Sequence, residues 1–154
     1  MMRSLRLPSY VLAGLLVLSL SACSPSLYPL YRDYEIQTED RSIAERIEDA
    51  LTEAGWESAS ASAPNAVATQ ERKVRSWGLY SVVVSLEAVP VGEDYVRLYV
   101  HPYRKYFTGN RSKIPFLKSG LRRAVLKDLN EAFQNQGLVA LGTGVSRDRQ
   151  AAAR

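Results

Sequence analysis

Cysteine and histidine each occur once in the 154 residues. A single cysteine excludes an internal disulfide and any zinc site built on paired thiolates. A single histidine excludes a multi-histidine metal centre. The sequence also lacks the motifs of the common hydrolases. It has no Gly-x-Ser-x-Gly elbow and no His-Glu-x-x-His, and Thr108 to Lys113 (TGNRSK) lacks the paired-glycine spacing of a phosphate-binding loop. No cofactor and no metal are implied. What is present is ordinary for a globular protein, with 46% apolar and 23% charged residues. Neither an internal repeat nor a second domain is visible.

The N-terminal stretch has three parts. Arg3 and Arg6 precede Ser9 without any acid, and Tyr10 to Leu20 is apolar. A spanning helix needs roughly 20 apolar residues, so this shorter run reads as the core of a signal peptide. Ser21 and Ala22 are small, and Cys23 follows them. Leu20-Ser21-Ala22-Cys23 resembles the lipobox of bacterial lipoproteins. The resemblance covers about the first two dozen residues. It implies a signal peptide over residues 1–22, with Leu20, Ser21 and Ala22 recognised by the signal peptidase. It also implies acyl chains on Cys23 that hold the chain to a membrane. Ser24 stands where the family's retention signal would be Asp, which favours the periplasmic leaflet of the outer membrane over inner-membrane retention. Without Arg3 and Arg6 the formal excess of +4 falls by two charges.

Residues 23–33 read as a membrane-proximal tether stiffened by Pro25 and Pro29. At roughly 3.3 Å per residue it spans at most ~35 Å. Residues 34–145 read as one domain and 146–154 as a disordered tail. Within the domain, Tyr34 to Thr38 reads as a strand. A helix follows, with Ile43, Ile47, Ala50, Leu51 and Ala54 on one apolar stripe, Ser42 and Glu45 spaced as a capping box, and Gly55 as the stop. Its acids, Glu45, Glu48, Asp49 and Glu53, read with Arg41 and Arg46 as a solvated face. Strands are expected at Trp56 to Ala59, Val67 to Arg75, Leu79 to Val89 and Tyr95 to Tyr103, with turns at Ser76 to Gly78 and Pro90 to Asp94. A second helix, with Pro115 near its first turn, places Leu117, Leu121, Val125, Leu129 and Phe133 on one stripe. Gly137 ends it, and Leu138 to Leu141 can add a last strand. The fold class is therefore α+β, with two amphipathic helices packed on one face of an antiparallel sheet of about four strands. This order is similar to that of small envelope-assembly lipoproteins. No motif beyond the lipobox is shared, so no site residue carries over.

Charge is unevenly spread. Nine basic residues and no acid lie between Arg97 and Lys127, whereas nine acids lie between Asp33 and Glu57. The basic stretch is rich in aromatics. Arg97, Tyr99, His101, Tyr103, Arg104, Lys105, Arg111 and Lys113 are the candidate residues for contact with an anionic lipid or an envelope protein. In an envelope setting nucleic acid is not an expected partner. The reading is a non-enzymatic, membrane-anchored binding or assembly module. The alternative is a periplasmic hydrolase that uses His101 as a base beside Glu93 or Asp94, or a carboxylate pair.

Overall fold

Two twelve-residue strands, Tyr80–Val91 (β6) and Tyr95–Tyr106 (β7), pair along their whole length and form the spine of the protein. Their sequences explain the pairing. Val82, Val84, Leu86 and Ala88 alternate along β6, and Val96, Leu98 and Val100 alternate along β7, so both apolar rows fall on the same sheet face. The turn between them holds Gly92 at φ 68°, a left-handed conformation that glycine adopts without a Cβ clash. Described here, in a computed structural model, are residues 27–37, 41–61 and 63–142. The expected signal peptide over residues 1–22, Cys23 and the expected tail 146–154 lie outside the described residues.

The remaining strands are Leu27–Tyr28 (β1), Tyr31–Ile36 (β2), Ser58–Ala59 (β3), Val67–Thr69 (β4), Arg72–Trp77 (β5), Arg111–Lys113 (β8), Leu117–Lys118 (β9) and Leu138–Ala140 (β10). Eight strands make one antiparallel sheet in the order β10-β2-β7-β6-β4-β3. On the same flank of β6 as β4, the strand β5 pairs with Tyr80 to Val84; on the β2 flank of β7, β8 pairs with Tyr103 to Lys105. A separate two-stranded ladder joins β1 to β9. The expectation of about four strands is therefore too low. Short pieces such as β3, β8 and β10 have two or three residues and give no readable alternation.

Two helices, Ile43–Glu53 (α1) and Ser119–Asn135 (α2), contribute their apolar stripes to one core with the inner face of the sheet. Tyr34, Ile47, Leu51, Val84, Leu86, Val96, Leu98, Leu129 and Phe133 are all at most 1% exposed. Each such side chain contributes roughly 1.5–3 kcal/mol of burial. Tyr34 lies at the centre. Its ring meets Phe133 at 4.5 Å between centroids, and its hydroxyl donates to Asn130 Oδ1 at 3.0 Å.

Several sequence expectations change. The tether does not extend to residue 33, because β1 and the start of β2 already belong to ladders. Its backbone groups from Leu27 onward pair with β9 and β7, which Pro29 does not prevent from its position between β1 and β2. Leu117 completes the buried row but belongs to β9, so α2 starts two residues beyond it and Pro115 precedes it altogether. Ser42 is the N-cap of α1, yet its side chain makes no capping hydrogen bond. Strand β6 runs through Pro90 to Val91. Pro90 lies opposite Val96 of β7, and the pairing of β6 with β4 ends at Ala88 opposite Val67, so the missing N–H breaks no ladder on that flank. Arg46 is not on the solvated face. It is 1% exposed, and its Nε donates to the backbone oxygen of Gln136 at 2.8 Å.

Candidate functional site

The face of the sheet turned away from the helices carries most of the predicted site. Odd-numbered residues of β7 project there, so Arg97, Tyr99, His101, Tyr103 and Lys105 form a row, flanked by Arg111 and Lys113 of β8. Arg104 does not join them. Its strand parity sends it to the helix-bearing face, opposite Val82.

That outer row is less basic than its sequence. Arg97 donates from Nε and Nη2 to the Asp33 carboxylate at 2.8 and 3.1 Å and stacks over Tyr31 at 4.6 Å. Hydrogen bonding to Asp33, then to Tyr99, raises the Arg97 pKa further above its already high range. Arg111 pairs with Glu71 and lies 5.8 Å from the ring of Tyr103. His101 Nε2 stands 3.5 Å from Glu87 Oε2, with the imidazole stacked 6.4 Å from Tyr99. The carboxylates beside the row come from β2, β6 and the lead-in to β5, none of them adjacent to it in sequence. Among the described residues, no carboxylate forms an ion pair with Lys105 or Lys113.

His101 therefore has a carboxylate neighbour, but a different one from either expected. Glu93 and Asp94 lie in the turn before Tyr95, about 20 Å away along an extended strand. A shallow cleft at Ser85, Glu87, His101, Tyr103 and Arg111 encloses about 350 Å³. Among the described residues, no group of three or more metal-ligating side chains occurs.

A larger cavity, about 570 Å³, opens on the helix-bearing face between the first turns of α2 (Ser119 to Ala124) and the end of the sheet where β5 meets β6. Val74, Trp77, Tyr80, Val82, Ile114, Phe116 and Leu121 supply its apolar walls. Arg75, Arg104 and Lys118 are its charged residues, and no carboxylate lines it. Cross-strand register explains the aromatic wall. Trp77 lies opposite Tyr80, and Tyr80 opposite Tyr106, with ring centroids 6.4 and 5.8 Å apart. Arg75 lies 5.4 Å from the Trp77 ring and Arg104 lies 5.8 Å from Tyr80, so both cations are held against aromatic faces.

The turns after β5 and β7 lie side by side at this end, because Tyr80 pairs with Tyr106. Each carries an exposed apolar residue, Leu79 at 69% and Phe107 at 82% exposure. Trp77 is also half exposed. Along β2, Tyr31 faces Tyr99 and Glu35 faces Tyr95, so the chain leading back toward Cys23 heads for this same end.

The nine cations between Arg97 and Lys127 thus fall into three places. Arg97, Lys105, Arg111 and Lys113 lie on the outer face, and Arg104 and Lys118 line the cavity. Arg122, Arg123 and Lys127 line a separate cleft on the other flank of α2. The acids of α1 remain exposed and form no ion pair with the basic residues of α2 among the described residues. Arg75, Trp77 and Tyr80 were missed as site residues. Their signal was the aromatic and basic alternation of Arg75-Ser-Trp77, which shows only once β5 is paired in register with β6. Compared with protein-family models, with curated proteins and with solved structures, the chain finds no match.

Proposed function

We propose that this protein is a lipid-anchored envelope protein whose domain is a non-enzymatic binding module for anionic amphiphiles, engaging the membrane surface with one end of its sheet. The observation that carries this reading is the pairing of two exposed apolar turn tips, Leu79 and Phe107, with the adjoining apolar cavity, which has Arg75, Arg104 and Lys118 but no carboxylate in its lining. Apolar tips enter the headgroup layer, and each nearby cation adds about 1 kcal/mol on an anionic surface. A cavity of this volume lies in the range of about 300–1,000 Å³ that suits small ligands. Cys23 supports the same orientation, because β1 begins four residues after it, within about 14 Å of extended chain. No helix among the described residues is long and apolar enough to cross a membrane, so an anchor on Cys23 would supply the permanent attachment.

Tryptophan emission tests the reading. Trp56 is buried at 2% exposure while Trp77 is 53% exposed, so a shift on binding reports Trp77. The mature chain carrying Cys23→Ser, which removes the anchor, should show a blue shift with phosphatidylcholine vesicles doped with phosphatidylglycerol and little with phosphatidylcholine alone. Replacing Arg75, Arg104 and Lys118 with Ala should abolish the difference. An equal response to both vesicles, or an undiminished response in the triple variant, would sink the proposal.

A further inference from the structure

On the opposite flank of α2 a cleft of about 300 Å³ lies between the helix and the first strands. Tyr28, Arg32, Ser119, Arg122, Arg123, Leu126, Lys127 and Asn130 line it. Four of these are cations, and no carboxylate is among them. Helical spacing explains three, because Arg122, Arg123 and Lys127 fall within a turn and a half of α2, next to buried Leu126. The fourth arrives from β2. Arg32 has the strand parity of buried Tyr34, so it points toward the helix rather than away from it.

Arg32 is the unusual member. Its Nε is shut off from solvent and has no hydrogen-bond partner among the described residues. Burial, and then the Arg122 charge, pull its guanidinium below the usual arginine range, opposed by Tyr34. A buried donor left unsatisfied is costly, and so is a second guanidinium alongside it. Arg122 is itself fixed, stacked 4.2 Å from the Tyr28 ring. Asn130 uses its Oδ1 to accept from Tyr34, which leaves its amide NH2 as the end able to donate. The cleft thus collects guanidinium, ammonium and amide donors and has no carboxylate in its lining to accept them.

We infer that this cleft is a phosphate-binding site, in which Arg32 and Arg122 grip phosphate oxygens and Arg123 and Lys127 add charge at its rim. Arginine suits this role because its planar fork donates two parallel hydrogen bonds to one phosphate. The volume suits a headgroup phosphate or a free one rather than a long chain. Both sources share the chemistry, and Tyr28 in the wall, five residues from Cys23, brings the lipid source within reach. None of its cations lines the sheet-end cavity, so the site stands or falls separately from the proposed lipid-facing role.

The test uses the mature chain with Cys23→Ser, followed by the side-chain Nε–H resonances of arginine in NMR. Inorganic phosphate or vesicles doped with phosphatidic acid should shift the Arg32 signal, while chloride at equal ionic strength should not. Saturation by inorganic phosphate identifies a free-phosphate site, and a response confined to the vesicles identifies a headgroup site. Arg123→Ala with Lys127→Ala, both at exposed positions, should weaken binding about tenfold, each lost rim charge contributing roughly a factor of three. Arg32→Gln should weaken it further, with thermal unfolding used to verify that the variant is folded. An Arg32 signal that responds to neither phosphate source, or affinity unchanged in the Arg123/Lys127 double variant, overturns the assignment.

Discussion

Asp33 and Arg97 face each other across the β2–β7 ladder and are joined by two parallel hydrogen bonds of 2.8 and 3.1 Å. Asp33 is 8% exposed, while the Arg97 side chain keeps about a third of its surface in water. The pair ties β2 to the central hairpin. Arg97→Ala removes the guanidinium from a largely buried carboxylate, so a loss of about 1–3 kcal/mol is expected in urea unfolding. Arg97→Lys should recover only part of it, because an ammonium cannot make both bonds at once. A loss equal to that of an exposed surface arginine would show that the pair contributes nothing.

Tyr34 supplies a pH dependence. Burial pushes its phenol well above the ordinary range, with Arg32 opposing weakly. A folded pKa above the unfolded one means that the unfolded state gives up its proton first. Stability is then fully present below about pH 10, the unfolded tyrosine value, and falls as pH rises beyond it. Tyr34→Phe should lose about 1 kcal/mol at neutral pH with its hydrogen bond to Asn130, and it should flatten the alkaline decline. The check is urea unfolding at a series of alkaline pH values. An identical alkaline slope in both proteins would contradict the role given to Tyr34.

How far these features were legible in sequence depends on their range. The alternation of Val82 to Ala88 and of Val96 to Val100 announced the two long strands and their buried face, because period two is a local property. The stripes of Ile43 to Ala54 and Leu121 to Phe133 announced the helices in the same way. Pairing partners are not local. That Glu71, Glu87 and Asp33 lie beside Arg111, His101 and Arg97 follows from registers linking segments 14 to 64 positions apart, and sequence carries no short-range signal for them. The candidate residues from Arg97 to Lys113 were read together as one basic stretch, whereas the registers put carboxylates beside three of them and strand parity turns Arg104 to the opposite face. Arg46 shows the converse. Among acids on an amphipathic helix it reads as solvated, and only the arrival of the end of α2 gives it a buried carbonyl to hold.

Arg46 is therefore a test of what a buried cation contributes. Its Nε reaches the backbone oxygen of Gln136, the residue that caps α2, where the helix dipole is negative. Arg46→Ala removes both the packing volume and the donor and should cost about 2–4 kcal/mol. Arg46→Met keeps much of the volume and should cost less, the difference between the two isolating the packing share. Hydrogen exchange at the last turn of α2 should accelerate in both variants. Unaltered exchange there would mean that Arg46 does not hold that helix end.

In the proposed lipid-anchored protein, an anchor on Cys23 and the apolar turn tips would make distinguishable contributions to membrane attachment. Burying Leu79 or Phe107 contributes at most about 3 kcal/mol each, and less for a tip that reaches only the headgroups. Acyl chains contribute about 0.8 kcal/mol per methylene, so several chains on one residue dominate the total. Cys23→Ala should therefore lose its lipid label and move to the soluble fraction at physiological salt. Phe107→Ser on the unaltered cysteine should stay with the membrane. Its effect should appear instead in orientation, as weaker quenching of Trp77 by headgroup-level quenchers, because the sheet end is then less firmly seated. Retention of Cys23→Ala in the membrane fraction after a salt wash would place the main attachment in the folded domain rather than in the anchor.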